Sequence, residues 1–411
     1  MPSPSEAVET LTTVVSNALT LIDQLEVVVS GLSSQDTSTA PFPTSQQSSA
    51  TGPLDALSLA HDSATLIRAH ATKISLLIIN EPFTPTAITK VVRELIAGPL
   101  PGLAASAQEC TAKRYTRVIQ KDLAWRVARV LKELHELLSL IPKDGKILKD
   151  AKKSASAGAA GGKGSIAATG LLWAACDDLM AFCKRGFGGN LVYKVDQLRE
   201  TLKDVMEELK EWSEETGDDE DEDEDDDDEG EDGVAQVTND LGSTSLSANA
   251  STQAMLDDLM NSQSYIPRDD PDKIRERLES CLRRLRLTSL LYQAAAKRRL
   301  KPLPHTPPTS DSNVPARLDE VLALLKGIPD RFGNLAMAFY ELDPVEIDRL
   351  MDQCFFDAFA ASELLVKPWD GQKDEFTDWA LKFQVEIKKS MNAGVRLYLY
   401  FAKPTHLVGK I

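Results

Sequence analysis

From Ile119 the apolar residues fall at Leu123, Val127, Val130, Leu134, Leu138 and Ile141. These steps of three and four keep to one side of a helix, whereas a half-buried strand needs steps of two. The same spacing runs through Phe376, Trp379, Phe383, Ile387, Met391, Val395 and Tyr398. No stretch shows β-branched alternation bounded by turns, so a sheet is not expected. The pattern predicts an all-α protein, with helices near 5–33, 54–80, 85–97, 102–141, 165–185, 188–215, 270–301, 315–341, 344–367 and 371–403. At about 1.5 Å per residue, the 102–141 helix would be roughly 60 Å long.

Start signals support this. Ser3-Pro4, Thr84-Pro85, Asp270-Pro271 and Asp343-Pro344 each set a proline at the first helical position behind a residue that can cap, where a missing N–H costs nothing. Glu6 and Glu346 stand three residues after their caps, placed to reach back to the cap N–H. In "AGPLPG" (97–102) the prolines end the preceding helix, because neither can continue its hydrogen-bond ladder.

Three stretches lose the period. Residues 34–52 are rich in Ser, Thr, Pro and Gln, and 152–165 form a Gly/Ala/Lys loop. The run 218–232 holds 14 acids in 15 positions, and outside it 49 acids meet 46 bases, so the net charge of −17 is local. Like charges keep such a run extended. The expected architecture is two elongated antiparallel helical bundles joined by a disordered acidic linker. An N-terminal bundle takes 1–215, with a disordered insertion at 34–53 and a flexible loop at 143–164. The linker takes 216–251, and the C-terminal bundle takes 252–411 of the 411 residues.

The sequence offers no foothold for catalysis. The start, "MPSPSEAVETLTTVV", lacks a basic leader followed by an apolar block, and no apolar run is expected to approach the ~18 residues of a membrane span. Five dispersed cysteines without a CxxC pair argue against a disulfide framework or a structural zinc site, and suggest reduced thiols packed as apolar groups. In "GLLWAACDDLMAFC" (170–183), Leu172, Trp173, Cys176, Leu179, Met180 and Cys183 share one helix face, so Trp173, Cys176, Met180 and Cys183 are read as structural core. The loop "GAAGGKGS" (158–165) puts Gly164 where a phosphate-binding loop needs Ser or Thr. "HELLS" (135–139) has Ser139 where a second zinc ligand would stand. We expect no enzymatic activity, catalytic residue, cofactor or metal.

The most basic element is 272–301. Its expected inward face is Ile274, Leu278, Leu282, Leu285, Ser289, Tyr292 and Ala296. Arg283, Arg284, Arg286, Lys297, Arg298 and Arg299 are the candidate partner-binding residues, a docking face for an acidic partner or for the chain's own run 218–232. "RRLRL" (283–287) matches a cyclin-docking pattern, although Leu285 falls in the buried stripe, and "KRRLK" (297–301) could serve as a nuclear address.

"LLWAACDDL" (171–179) opening a helix after a flexible loop, "VDQLRETLKDVMEELKEW" (195–212), the acidic linker and "GPLPGLAASAQEC" (98–110) together resemble the GCIP, or cyclin-D-binding protein, family in a longer, fungal-style form. The resemblance implies an all-helical protein without enzymatic activity. Such a protein binds a cyclin or a helix-loop-helix-type regulator and negatively regulates cell-cycle progression or transcription, in nucleus and cytoplasm. Protein partners are expected, with no direct nucleic acid, membrane or small-molecule substrate. The alternatives are a structural adaptor of vinculin or talin type and an acidic-run binder of basic proteins such as histones.

Overall fold

The computed structural model describes residues 4–34, 55–148, 164–214, 265–308, 312–369 and 373–388, and every regular element among them is helical. The helices are α1 (Pro4–Ser34), α2 (Ala56–Ile79), α3 (Pro85–Ala97), α4 (Pro99–Glu109), α5 (Ala112–Tyr115), α6 (Arg117–Ser139), α7 (Ser165–Glu214), α8 (Ile274–Ala295), α9 (Val314–Tyr340), α10 (Pro344–Val366) and α11 (Glu375–Lys388); a π turn (Ala296–Leu300) extends α8. The insertion, most of the loop before 165, the acidic linker, and Met391, Val395 and Tyr398 lie outside the described residues.

Contacts divide the chain into two units, Met1–Lys194 with Ala296–Leu322, and Val195–Ala295 with Ala323–Ile411. The division therefore falls inside α7, not at the expected 215/216, and it takes 296–322 into the first unit. Side chains explain both shifts. Trp212, near the end of α7, packs edge-on to Tyr340 at 5.3 Å, and the Tyr340 hydroxyl donates to Glu208 at 2.9 Å. His305 and Asp319, in contrast, bond back to α7 and α6 of the first unit.

In the first unit α1 packs on α6, α3 and α4, and α2 packs on α4, α3 and α6. All seven residues of the Ile119–Ile141 stripe are buried. At about 25 cal/mol per Å² of apolar surface, such faces supply the main drive for assembly. In the second unit α8, α10 and α11 pack on one another, and Phe332 meets Phe355 edge-on at 5.8 Å.

The expected 60 Å helix is broken into α4, α5 and α6. Thr116 has φ of +83°, which a β-branched residue resists. Three bonds hold it there. The Thr116 hydroxyl accepts from Ile119 N–H at 3.3 Å, and both Asp319 carboxylate oxygens accept from Arg117 N–H at 2.9 Å. Just before it, the Tyr115 hydroxyl donates to Asp55 at 2.8 Å and accepts from Ala56 N–H at 2.9 Å, tying the break to the start of α2. At this break the buried apolar residues step by five, from Cys110 to Tyr115.

Other starts also differ in detail. Asp270 takes Ile274 and Arg275 N–H at 2.7 and 2.9 Å, so α8 begins after Pro271 and not on it. Asp343 caps α10 as expected, but Glu346 pairs with Arg349 and the Asp343 N–H goes to Ala338. Two helices, Ser5–Leu32 and Ser165–Glu214, are apolar and long enough to cross a membrane by length and composition, which corrects the expectation that no segment would be. Each carries a buried stripe.

α7 bends where two helices were expected to part. Gly186 has φ of +67°, and a Cβ there would lie 2.5 Å from the His305 ring. Phe187 N–H donates to His305 O at 2.7 Å. The Asn190 side-chain amide donates to Phe182 O and Gly186 O at 2.9 and 2.8 Å, satisfying carbonyls that the bend would orphan.

Candidate protein-interaction surface

The six basic residues selected from the sequence do not form one face. Arg283, Arg286, Lys297 and Arg298 are exposed, but Arg284 and Arg299 are 4% and 2% exposed. Arg284 lies 4.5 Å over the Phe355 ring. The buried stripe of α8 runs through Cys281, Leu285, Thr288 and Tyr292 and is wide enough to take in Arg284, while Leu282 and Ser289 sit at its edge. The π turn, marked by Lys301 N–H donating to Ala296 O at 2.9 Å, adds a residue to the winding and brings Arg299 inward. The three residues of α8 and the three of the π turn also belong to different units. A groove of about 280 Å³ in the second unit is lined by Lys273, Glu276, Arg277, Asp348 and Asp352 among others, and Arg277 there is paired with Asp348 by two bonds of 3.0 Å.

The residues read as core divide in two. Cys176 and Cys183 are buried, with their thiol pKa values pushed up to about 12 by burial. Cys110, Cys281 and Cys354 are also buried free thiols. Trp173 and Met180, by contrast, are only half-buried, because the helix turns its Phe182 side deepest into the bundle. The Trp173 indole N–H donates to Thr72 at 3.2 Å, and the Arg68 guanidinium lies 5.4 Å over the ring while pairing with Asp177 at 2.9 Å.

That arrangement continues along α6 and α7 as a ladder of arginines and aromatic rings. Trp125 is 55% exposed. Arg126 and Arg129 lie 5.6 and 5.8 Å from its ring. Arg126 also covers Phe182 at 4.6 Å. One carboxylate, Asp178, serves both arginines, at 3.2 Å from Arg126 and 3.9 Å from Arg129. Arg185 continues the ladder, 5.9 Å from Phe182 and 4.3 Å from Tyr193, with its Nε donating to Asn190 at 2.9 Å. Tyr193 is 45% exposed. Each ring contact contributes about 0.5–1 kcal/mol at such exposure, so the guanidiniums are held in place before any ligand arrives.

Half of this site is visible in the sequence. Trp125, Arg126 and Arg129 fall outside the Ile119–Ile141 stripe, and an aromatic residue off the buried side of a helix is a legible signal. The pairing with Asp178, Phe182 and Tyr193 is not, because it joins residues of two helices.

Residues 60–215 match the family model described as Grap2 and cyclin-D-interacting, N-terminal. The segment is thus similar to a GCIP N-terminal domain. All the rungs from Arg68 to Tyr193 lie inside that GCIP-like segment. An uncharacterised protein of Schizosaccharomyces pombe is 26% identical over 330 residues, covering 80% of this chain and 82% of its own length. The similarity therefore reaches well beyond the GCIP-like segment into the second unit.

Proposed function

We propose that the chain is a non-enzymatic protein-binding regulator that acts by engaging a cyclin or a helix-loop-helix-type regulator, and so restrains cell-cycle progression or transcription in nucleus and cytoplasm. The observation that carries this reading is the match of 60–215 to the cyclin-D-interacting family. The exposed or half-exposed members of its ladder, Trp125, Arg129 and Tyr193, agree with it: Trp, Tyr and Arg are the residues that dominate binding energy at protein interfaces. Among the described residues no group of three His, Cys, Asp or Glu side chains is placed to hold a metal ion, and the buried thiols, with raised pKa values, are poor nucleophiles.

Affinity capture with the full chain, followed by mass spectrometry and by pairwise binding to a purified D-type cyclin, tests the proposal. Recovery of a cyclin, a cyclin-dependent kinase or a transcription regulator is expected. Repeated capture in which all three classes are absent, together with no binding to the purified cyclin, overturns it.

A further inference from the structure

We propose that the Trp125–Tyr193 face of α6 and α7 is the docking surface for an acidic segment of a protein partner. On this face carboxylates take the arginine edges and an aromatic or apolar side chain lies on Trp125. This rests on the protein-binding reading above and specifies its surface and the chemistry of its ligand.

The face carries an excess of positive charge. Arg126 and Arg129 share one carboxylate, Asp178, and Arg185 has no carboxylate partner among the described residues. Three guanidiniums thus face a single acid. The neighbouring charges on the same side of α6 do not alter this balance: Lys121, four residues before Trp125, is followed by Asp122, and Lys132, seven after it, by Glu133. The ladder itself is left with an excess of positive charge, which an anionic segment would balance.

The arginines are also preorganised. Arg126 is fixed by Asp178, Phe182 and Trp125, and Arg185 by Asn190, Phe182 and Tyr193. A fork already held in one orientation loses little rotamer freedom when a carboxylate arrives. Beside these forks stand a tryptophan and a tyrosine, each close to half exposed, which offer rigid apolar area at low entropic cost. A scattered exposed aromatic would mean little; here two are linked, Trp125 through Arg126 and Tyr193 through Arg185, by the buried Phe182 ring that both arginines cover.

The test uses the full chain and a fluorescein-labelled peptide of repeated Glu-Glu-Phe-Asp, with two controls, its amide twin of Gln-Gln-Phe-Asn and a polyglutamate of equal length. Anisotropy titrations should show the acidic aromatic peptide binding about tenfold or more tightly than either control, with affinity falling as salt rises. Trp125→Ala and Arg129→Gln, both at exposed or half-exposed positions, should each weaken it about tenfold while lowering the thermal midpoint by no more than a few degrees, as the loss of one or two ring contacts requires. Equal binding of the acidic and amide peptides, no binding at millimolar peptide, or full affinity in both variants overturns the proposal. The two readings fail separately. Cyclin capture that survives Trp125→Ala with Arg129→Gln rejects this surface and leaves the proposed function standing, whereas peptide binding without any captured regulator does the reverse.

Discussion

Pro329 lies inside α9 and has no N–H to give to the carbonyl four residues before it, Leu325. That carbonyl is not orphaned, because the Tyr292 hydroxyl of α8 donates to it at 2.5 Å. Tyr292 and Leu325 are both fully buried, and burial pushes the phenol pKa well above its ordinary value of 10.0, so the donor proton stays in place. Tyr292→Phe keeps the ring and removes the donor. The cost is that of a buried unpaired carbonyl, about 1–3 kcal/mol, with almost no change in packed volume. Pro329→Ala supplies the missing N–H along the helix itself. In that background Tyr292→Phe should cost about 1 kcal/mol less, and the two substitutions should be coupled by that amount. Urea melts of the four proteins, followed by helical circular dichroism and tryptophan fluorescence, give the cycle. Additivity within about 0.3–0.5 kcal/mol would refute the reasoning, since it would mean that the tyrosine does not stand in for the proline's lost donor.

Gly186→Ala should destabilise by about 1–3 kcal/mol, because its φ is positive and the new methyl would meet the His305 ring; His305→Ala should recover part of the loss by clearing the space, and a midpoint identical to wild type in the single variant would show that the bend is not held as described. Phe182→Ala should cost about 3–5 kcal/mol, as a fully buried ring does, and the half-buried Trp173 clearly less; equal losses in denaturant melts would contradict their different burial. His70 is buried beside Lys73, and desolvation first, then that lysine, lower its pKa below 6.5, while Glu94 opposes them. The unfolded chain therefore binds more protons below about pH 6.5, and stability falls with pH from there down to the folded-state pKa. Urea midpoints at pH 7.5 and 5.5 should fall further for wild type than for His70→Gln, and equal falls would reject the assignment.

Helix identity, the buried side of α6, the burial of Cys176 and Cys183 and the bend near 186 are legible in the sequence, because each follows from spacings of three and four or from a glycine within one segment. The extent of α8's buried face is not. Spacing places Arg284 next to the stripe, but only packing against Phe355 makes it a buried cation, and the π turn that brings Arg299 inward leaves no mark in the apolar pattern. The ladder is half legible: Trp125 stands off its stripe, while its connection to Phe182 and Tyr193 needs the second helix.

Local periodicity determined that this chain is helical and which residues seek the interior, since the contacts that fix a helix face lie within four residues. Tertiary structure decided where the helices break and which polar groups are paired, since those partners are far apart in the chain: Tyr292 meets Leu325 across 33 residues, and Asp319 meets Arg117 across 202. A buried carbonyl or N–H must find a partner wherever the fold supplies one, and no spacing rule within a segment can say which residue that will be.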